Sequence, residues 1–306
     1  MGRVVVAGSL NMDLIVQTAR IPAVGETLLG KGFRTAPGGK GANQAVAAAR
    51  LGAQTAMIGR LGRDDFAGAL RDSLAQSAVD ARGVQTDPEA PTGVALITVD
   101  ERGQNTIVVV PGANHALTPQ HIEAAAGLLD GAAVLLLQLE IPLPAVQRAA
   151  ELAHARGLCV VLNPAPAQPL PEALLELVDY LAPNESEAAL LSGLPVNDLD
   201  EARAAAARLR QMGAGAVLMT LGAQGALLAD ADGVRHTPAF PVKAVDTTAA
   251  GDAFLGGFAA ALAEGRSPQE AMRRGCAAGA LAATRMGAQP SLPQRAEVLQ
   301  LLDDNA

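Results

Sequence analysis

Residues 134–163 read VLLLQLEIPLPAVQRAAELAHARGLCVVLN. An aliphatic run over 134–139 is followed by an alanine-rich helical pattern over 143–156 and a second aliphatic run over 158–163. Runs without polar alternation suit strands covered on both faces, and a helix between two of them reads as the crossover of a parallel pair. The same alternation extends in both directions. Further strands are expected over 3–8, 55–59, 180–183 and 216–220, with helices over 42–51, 66–76, 119–128 and 199–212. Ser267-Pro-Gln-Glu270 is a capping box with proline at the first helical position, and Gly213 is a stop after Met212. The expected fold is α/β, a doubly wound and mainly parallel sheet with helices on both faces.

Two stretches break this pattern. Residues 14–35 hold short runs without a helix, and residues 91–111 hold two strand-like runs around Asp100-Glu-Arg-Gly103, a hairpin signature. They read either as edge strands of the central sheet or as a small antiparallel lid with a face that a second subunit could cover.

Composition narrows the function. The chain has 306 residues, is 50% hydrophobic and has no apolar run of the ~20 residues that a membrane span needs. MGRVVVAGSL at the N-terminus leads straight into a strand-like run and does not read as a signal peptide. Cys159 and Cys276, each in an apolar segment, suit a reducing cytoplasm and form neither a disulfide framework nor a zinc site. A net charge of −8, with no Trp, one Tyr and five Phe, argues against a nucleic-acid partner.

The chemistry concentrates in a few segments. Asp246-Thr-Thr-Ala-Ala-Gly-Asp252 lies between a strand-like run, 240–245, and a small-residue helix pattern, 253–264. The first turn of a helix presents unpaired N–H groups and a positive dipole end, and Ala249, Ala250 and Gly251 leave an anion free to approach them. Asp252 beside that anion hole reads either as a favourable N-terminal carboxylate or as a base that takes a hydroxyl proton during phosphoryl transfer. Pro37-Gly-Gly-Lys-Gly-Ala-Asn43 is no Walker A loop. Its glycines Gly39 and Gly41 admit close backbone approach, with Lys40 and Asn43 as donors, unless it is merely a flexible turn. Asn11 and Asp13, expected at the end of the first strand, suit a polyhydroxylated ligand. Glu140, Asn184 and Glu187 follow strands on the same side. Thr220, Gly222 and Gly225 fit either a nucleotide wall or a tight strand-to-strand turn. The four histidines, at 115, 121, 154 and 236, are assigned to the surface.

Asn11-Met-Asp13, Gly38-Gly-Lys-Gly-Ala-Asn-Gln44, Asn163-Pro-Ala-Pro166, Asn184-Glu185 and Asp246-Thr-Thr-Ala-Ala-Gly-Asp252 occur in one order. In this the chain resembles the PfkB family of carbohydrate kinases from end to end. The glycine-lysine segment and Gly287-Ala-Gln-Pro-Ser291 are similar to the family's ribose-phosphorylating branch. The resemblance implies transfer from ATP to the 5-hydroxyl of D-ribose, with Asp252 as base. It implies ribose contacts from Asn11, Asp13, Gly39, Lys40, Gly41, Asn43 and Glu140, and a nucleotide site lined by Asn184, Thr220, Gly222, Gly225, Gly251 and Cys276. Cys276 falls near adenine, in a position suited to a polar residue. Potassium is implied at Asp246 and Ser291 and at the carbonyls of Thr248, Ala282, Arg285 and Gly287, with Mg²⁺ organised through water by Glu187. The family also implies one ribokinase-like domain over 1–306, with residues 14–35 and 91–111 as a β lid that forms a homodimer interface. A fructokinase-like sugar kinase is the competing enzyme reading, and a non-catalytic sugar-binding protein on the same fold is the reading from another class. Aromatic poverty disfavours an adenosine kinase, and a Rossmann oxidoreductase would need Gly-x-Gly-x-x-Gly after the first strand.

Overall fold

The computed structural model describes residues 2–305. The strands are β1 (Arg3–Ala7), β2 (Asn11–Gln17), β3 (Gly32–Gly38), β4 (Gln54–Leu61), β5 (Asp80–Thr86), β6 (Gly93–Val99), β7 (Asn105–Val110), β8 (Ala132–Leu137), β9 (Cys159–Leu162), β10 (Tyr180–Leu181), β11 (Ala216–Thr220), β12 (Ala226–Asp230) and β13 (Gly233–Thr237). The helices are α1 (Lys40–Arg50), α2 (Asp65–Gln76), α3 (Pro119–Ala124), α4 (Leu143–His154), α5 (Glu172–Leu175), α6 (Glu185–Ser192), α7 (Leu199–Gln211), α8 (Ala250–Ala263), α9 (Pro268–Ala283) and α10 (Arg295–Asp303).

Nine strands form the main sheet in the order β13-β12-β11-β10-β9-β8-β1-β4-β5, parallel except for the hairpin pairings of β12 with β11 and β13. Successive side chains point to opposite faces, so each aliphatic strand feeds two cores. Val4, Val6, Val134 and Leu136 pack with α1, α2, α8 and α9, whereas Val5, Ala7, Leu135 and Leu137 pack with α4 and α7. Small residues let the helices of the first layer approach closely. A Cβ on Gly256 would stand 2.4 Å from that of Ala47.

The order of strand addition positions the site. From β1 the chain builds β4 and β5 outward on one side. It then returns to place β8 against β1 on the other side and continues through β9 to β11. Open α/β sheets bind ligands beyond the strand carboxyl ends at such a reversal. Other helix entries are closed by local side chains: Asp64 caps α2, Asp198 caps α7, Asn184 caps α6, and Ser267 with Glu270 forms the expected box on α9. In contrast, α1 and α8 begin at Gly39 and Ala249 with no cap of this kind, and both point their N-termini at the reversal point.

A second sheet, β3-β2-β6-β7, stands apart from the first. Its outer ladders are antiparallel, while β2 and β6 pair in parallel. Ile15, Ala36, Ala95 and Ile97 form its own small core. Phe33, Leu96, Val108 and Val110 share the other face and are exposed.

Three expectations need correction. Residues 240–245 form no strand, because Pro241 has no N–H to donate and Val245 donates to the Ala283 carbonyl instead. The helix expected over 119–128 ends at Ala124 and gives way to a 3₁₀ turn, Ala126–Leu129. Asn11 and Asp13 do not end the first strand. They belong to β2, so the small sheet itself carries them to the reversal point.

Candidate active site

The uncapped start of α1 is completed from a distance. Glu140, just beyond β8, accepts the backbone N–H of Lys40 at 3.0 Å and the Ser9 hydroxyl, and Ser9 Oγ in turn accepts the Gly41 N–H at 3.2 Å. Gly39 has φ 87°, and a Cβ there would lie 2.7 Å from the Asn11 nitrogen, so only glycine brings this loop against β2. Asn114, in the turn after β7, donates to Asn11 Oδ1 at 2.8 Å and bonds both backbone groups of Leu10. That fixes the Asn11 amide with its Nδ2 end unpaired among the described residues.

Asp252 sits in the first turn of α8 and is 9% exposed. Its Oδ2 accepts from Asn43 Nδ2 at 2.9 Å and its Oδ1 from Gln44 Nε2 at 3.0 Å. Burial raises its pKa, opposed by the Lys40 charge and by the two amide donors. Asp13 is buried as well, and among the described residues no donor bonds its carboxylate. Burial, then Glu140 and Asp252, push its pKa up to about 7. Burial alone would lower the pKa of Lys40, but Asp252, Glu140 and Glu187 outweigh it and raise the ammonium's pKa. A single ammonium is thus held among carboxylates, next to an open helix N-terminus.

A cavity of about 600 Å³ opens on that N-terminus. All six residues expected at the nucleotide site line it: Asn184, Thr220, Gly222, Gly225, Gly251 and Cys276. The 220–225 segment is the tight turn that joins β11 to β12, and it also lines this cavity. A Cβ on Gly251 would meet nothing within 4 Å, so the approach to α8 is clear. Cys276 is buried, which pushes its thiol up to about 12 and leaves it a weak polar partner. Glu187 accepts the Asn184 N–H at 2.9 Å in a capping box on α6, and burial raises its pKa.

A second cavity, about 570 Å³, lies between the small sheet and the segments 244–248 and 286–288, with Asp13 on its wall. It gathers three residues expected to hold a cation. Asp246 Oδ1 accepts the Thr248 N–H at 3.0 Å and its Oδ2 the Gly287 N–H at 2.8 Å. Ala282, Arg285 and Ser291 are not on this wall. The Ala282 carbonyl accepts from the Arg285 N–H, the Arg285 guanidinium pairs with Glu297, and Ser291 donates to the Ala288 carbonyl at 2.7 Å.

Several residues at the site were not anticipated. Ser9, Gln44 and Asn114 act on the expected residues through hydrogen bonds, Gln138 bonds Gln44 behind them, and Phe254, Gly279 and Ala283 line the cavity of about 600 Å³. Burial was the missing signal, because a glutamine after an aliphatic strand reads the same whether it faces water or the core. Two histidines depart from the surface assignment. His121 is half-buried, accepts from the Thr118 N–H and contacts Arg60, and His236 is half-buried beside the Gln224 carbonyl.

Comparison with known proteins places this geometry in company. The pattern of the pfkB family carbohydrate kinases matches residues 1–295. Ribokinase of Haemophilus influenzae is 43% identical over 298 residues, covering 97% of each chain. Deoxyribokinase of Salmonella typhi is 39% identical over 291 residues, covering 95% of each. Among solved structures, Arabidopsis thaliana ribokinase complexed with ribose and ATP superposes with a TM-score of 0.92 at 36% identity, covering 98% of both chains.

Proposed function

The chain belongs to the pfkB family of carbohydrate kinases, and on that premise we propose that it transfers the terminal phosphoryl group of ATP to the 5-hydroxyl of D-ribose. One observation carries this reading: the Asp252 carboxylate, held on both oxygens, stands one residue from an unobstructed helix N-terminus that opens on the nucleotide-sized cavity.

The roles follow from the chemistry. Asp13, a buried acceptor, and the Nδ2 end of Asn11 hold sugar hydroxyls, with Lys40 and the Asn43 amide oxygen beside them. Among the described residues Asn43 Oδ1 is buried without a hydrogen-bond partner, which suits a ligand hydroxyl. Asp252 accepts the proton of the attacking hydroxyl. The N–H groups of the Ala249–Gly251 turn stabilise the charge that develops on the phosphoryl group. Asn184, Thr220, Gly222 and Gly225 hold the nucleotide, and Cys276 packs where the base would lie. Glu187 would organise Mg²⁺ through water, where the metal supplies charge to the phosphates. Asp246, Thr248 and Gly287 offer hard oxygens suited to potassium, which would stiffen the loop entering α8. Ala282, Arg285 and Ser291 lie off that wall and are left out of the proposed shell. The exposed apolar face of the small sheet, Phe33 with Leu96, Val108 and Val110, fits a second copy of the chain, so the sheet serves as lid and dimer contact.

A panel of sugars in a coupled assay of ADP release tests the reading. Ribose should give the highest kcat/KM. The likeness to Salmonella typhi deoxyribokinase makes 2-deoxyribose the informative competitor. A site built to bond the 2-hydroxyl rejects its absence strongly. A higher kcat/KM for 2-deoxyribose or fructose would reassign the substrate, and no ADP release with any sugar would remove the kinase reading.

A further inference from the structure

Behind Asp252 lies a chain of buried amides that the transfer step does not itself use. Gln44 is fully buried and makes three hydrogen bonds. Its Nε2 donates to Asp252 Oδ1 at 3.0 Å and to Asn163 Oδ1 at 3.3 Å, and its Oε1 accepts from Gln138 Nε2 at 2.6 Å. Asn163 cannot turn its own amide round, because its Nδ2 is committed to the Ala182 carbonyl at 3.0 Å. An ionised carboxylate and a carbonyl can only accept. They therefore dictate the direction of every amide between them, and Gln44 must point its oxygen at Gln138.

Gln138 is fully buried and follows β8 directly, on the rigid floor of the reversal point. Its Oε1 lies over Gly8, where a Cβ would come within 1.9 Å, so the chain has cleared backbone space for this side chain. It makes no hydrogen bond to Asn11, Asp13 or Lys40 among the described residues. We infer that Gln138 is a positioning residue for phosphoryl transfer, acting through Gln44 to keep a donor aimed at Asp252. This rests on the reading of Asp252 as the base.

The physical consequence is specific. Without the Gln138 donor, Gln44 has a buried oxygen with no partner. Turning its amide to satisfy that oxygen elsewhere sets it against the Asp252 carboxylate in a low-dielectric site. The carboxylate then loses a fixed orientation and a donor that favours its ionised form.

Two substitutions separate positioning from scaffolding. Gln138→Met keeps length and removes the donor. The expected result is a fall in kcat of about 10- to 100-fold, the range for losing a hydrogen bond to a charged group. KM for ribose should stay within about twofold, and the acid limb of the kcat–pH profile should move upward. Gln138→Glu keeps the shape, and burial raises the pKa of the introduced carboxyl. While protonated it donates to Gln44, so kcat should approach that of the parent at low pH. It should then fall as pH rises through that pKa, a decline the parent does not share. Thermal melts set the folded fraction for each variant, and if the glutamate variant does not fold, the methionine variant's kcat–KM split and pH profile decide.

A folded Gln138→Met enzyme with parental kcat and pH profile overturns the inference. So does a kcat loss fully accounted for by unfolded protein, or a folded Gln138→Glu enzyme slow at every pH. Asp252→Asn judges the underlying reading on its own. Near-normal turnover there removes Asp252 as base, whereas a severe loss there beside a normal Gln138→Met enzyme sinks only the role of Gln138.

Discussion

Asp13 is the residue where stability and function should pull furthest apart. Its carboxylate is buried, accepts no hydrogen bond from the described residues and feels Glu140 and Asp252, and its pKa rises from 3.8 to about 7. That rise is about 3 units, and each unit is worth ~1.4 kcal/mol between the two protonation states, so ionised Asp13 costs the fold about 4 kcal/mol. The sign follows from linkage. Below the unfolded value of 3.8 the carboxyl is neutral in both states and costs nothing. As pH climbs toward 7 the unfolded chain ionises and the folded one resists, so stability is lost progressively and then levels off. Asp13→Asn cannot ionise. The free protein carrying it should match the parent near pH 4 and gain on it with rising pH, reaching an advantage of about 4 kcal/mol above pH 7.

The same carboxylate is the acceptor for sugar hydroxyls on this reading, so the stabilised variant should bind ribose far more weakly. In the parent, kcat/KM for ribose should fall tenfold per pH unit below about 7 as the free enzyme's Asp13 takes a proton. Reversible urea unfolding of both proteins from pH 4 to 8 at fixed ionic strength measures the first effect, and initial rates at limiting ribose measure the second. Stability curves that run parallel across that range would refute the electrostatic account of Asp13. An unchanged ribose affinity in Asp13→Asn would refute its place in the sugar site.

Asp252→Asn keeps size and helix position, so turnover should drop by about 10²–10⁴-fold while ribose affinity, read by calorimetry, survives. Gly251→Val should leave the melting temperature nearly unchanged, since its Cβ position is open, but raise KM for ATP by crowding the α8 N-terminus. Potassium titrated against sodium at constant ionic strength should activate turnover, with the response lost in Asp246→Ala; equal rates in both salts would leave Asp246 as the turn cap that its bonds to Thr248 already describe. Val108→Asp, on the exposed face of the small sheet, should shift sedimentation from dimer to monomer if that face joins two copies.

The fold was legible wherever one strand or helix carried its own signal. Val134 to Leu137 alternate between two apolar cores, so the run shows no polar alternation and reads as a strand covered on both sides. The small sheet was half legible. Its hairpin shows in the Asp100–Gly103 turn, where Gly103 adopts φ 77°. The parallel pairing of β2 with β6 joins residues about 80 positions apart, and no local pattern encodes it. The run over 240–245 misled for the opposite reason: its apolar spacing is strand-like, but Pro241 has no N–H to give a ladder and Val245 donates to the Ala283 carbonyl.

The site divides along the same line. Groups that work through the backbone leave a mark in sequence, because small residues and glycines are needed where a ligand or another chain segment approaches. Ala249 to Gly251, Gly39 and Gly225 were readable on that ground, and Gly225 is also confined by φ 95°. Groups that work through a neighbour's side chain leave none. Gln44 and Gln138 lie 94 positions apart and meet only because α1 starts at the point where β8 returns beside β1. Even knowing both residues, the direction of their hydrogen bond follows only from Asp252 at one end and the Ala182 carbonyl at the other. A site of this kind is therefore read outward from groups whose chemistry allows one role, and the ambiguous amides between them acquire theirs from the fold.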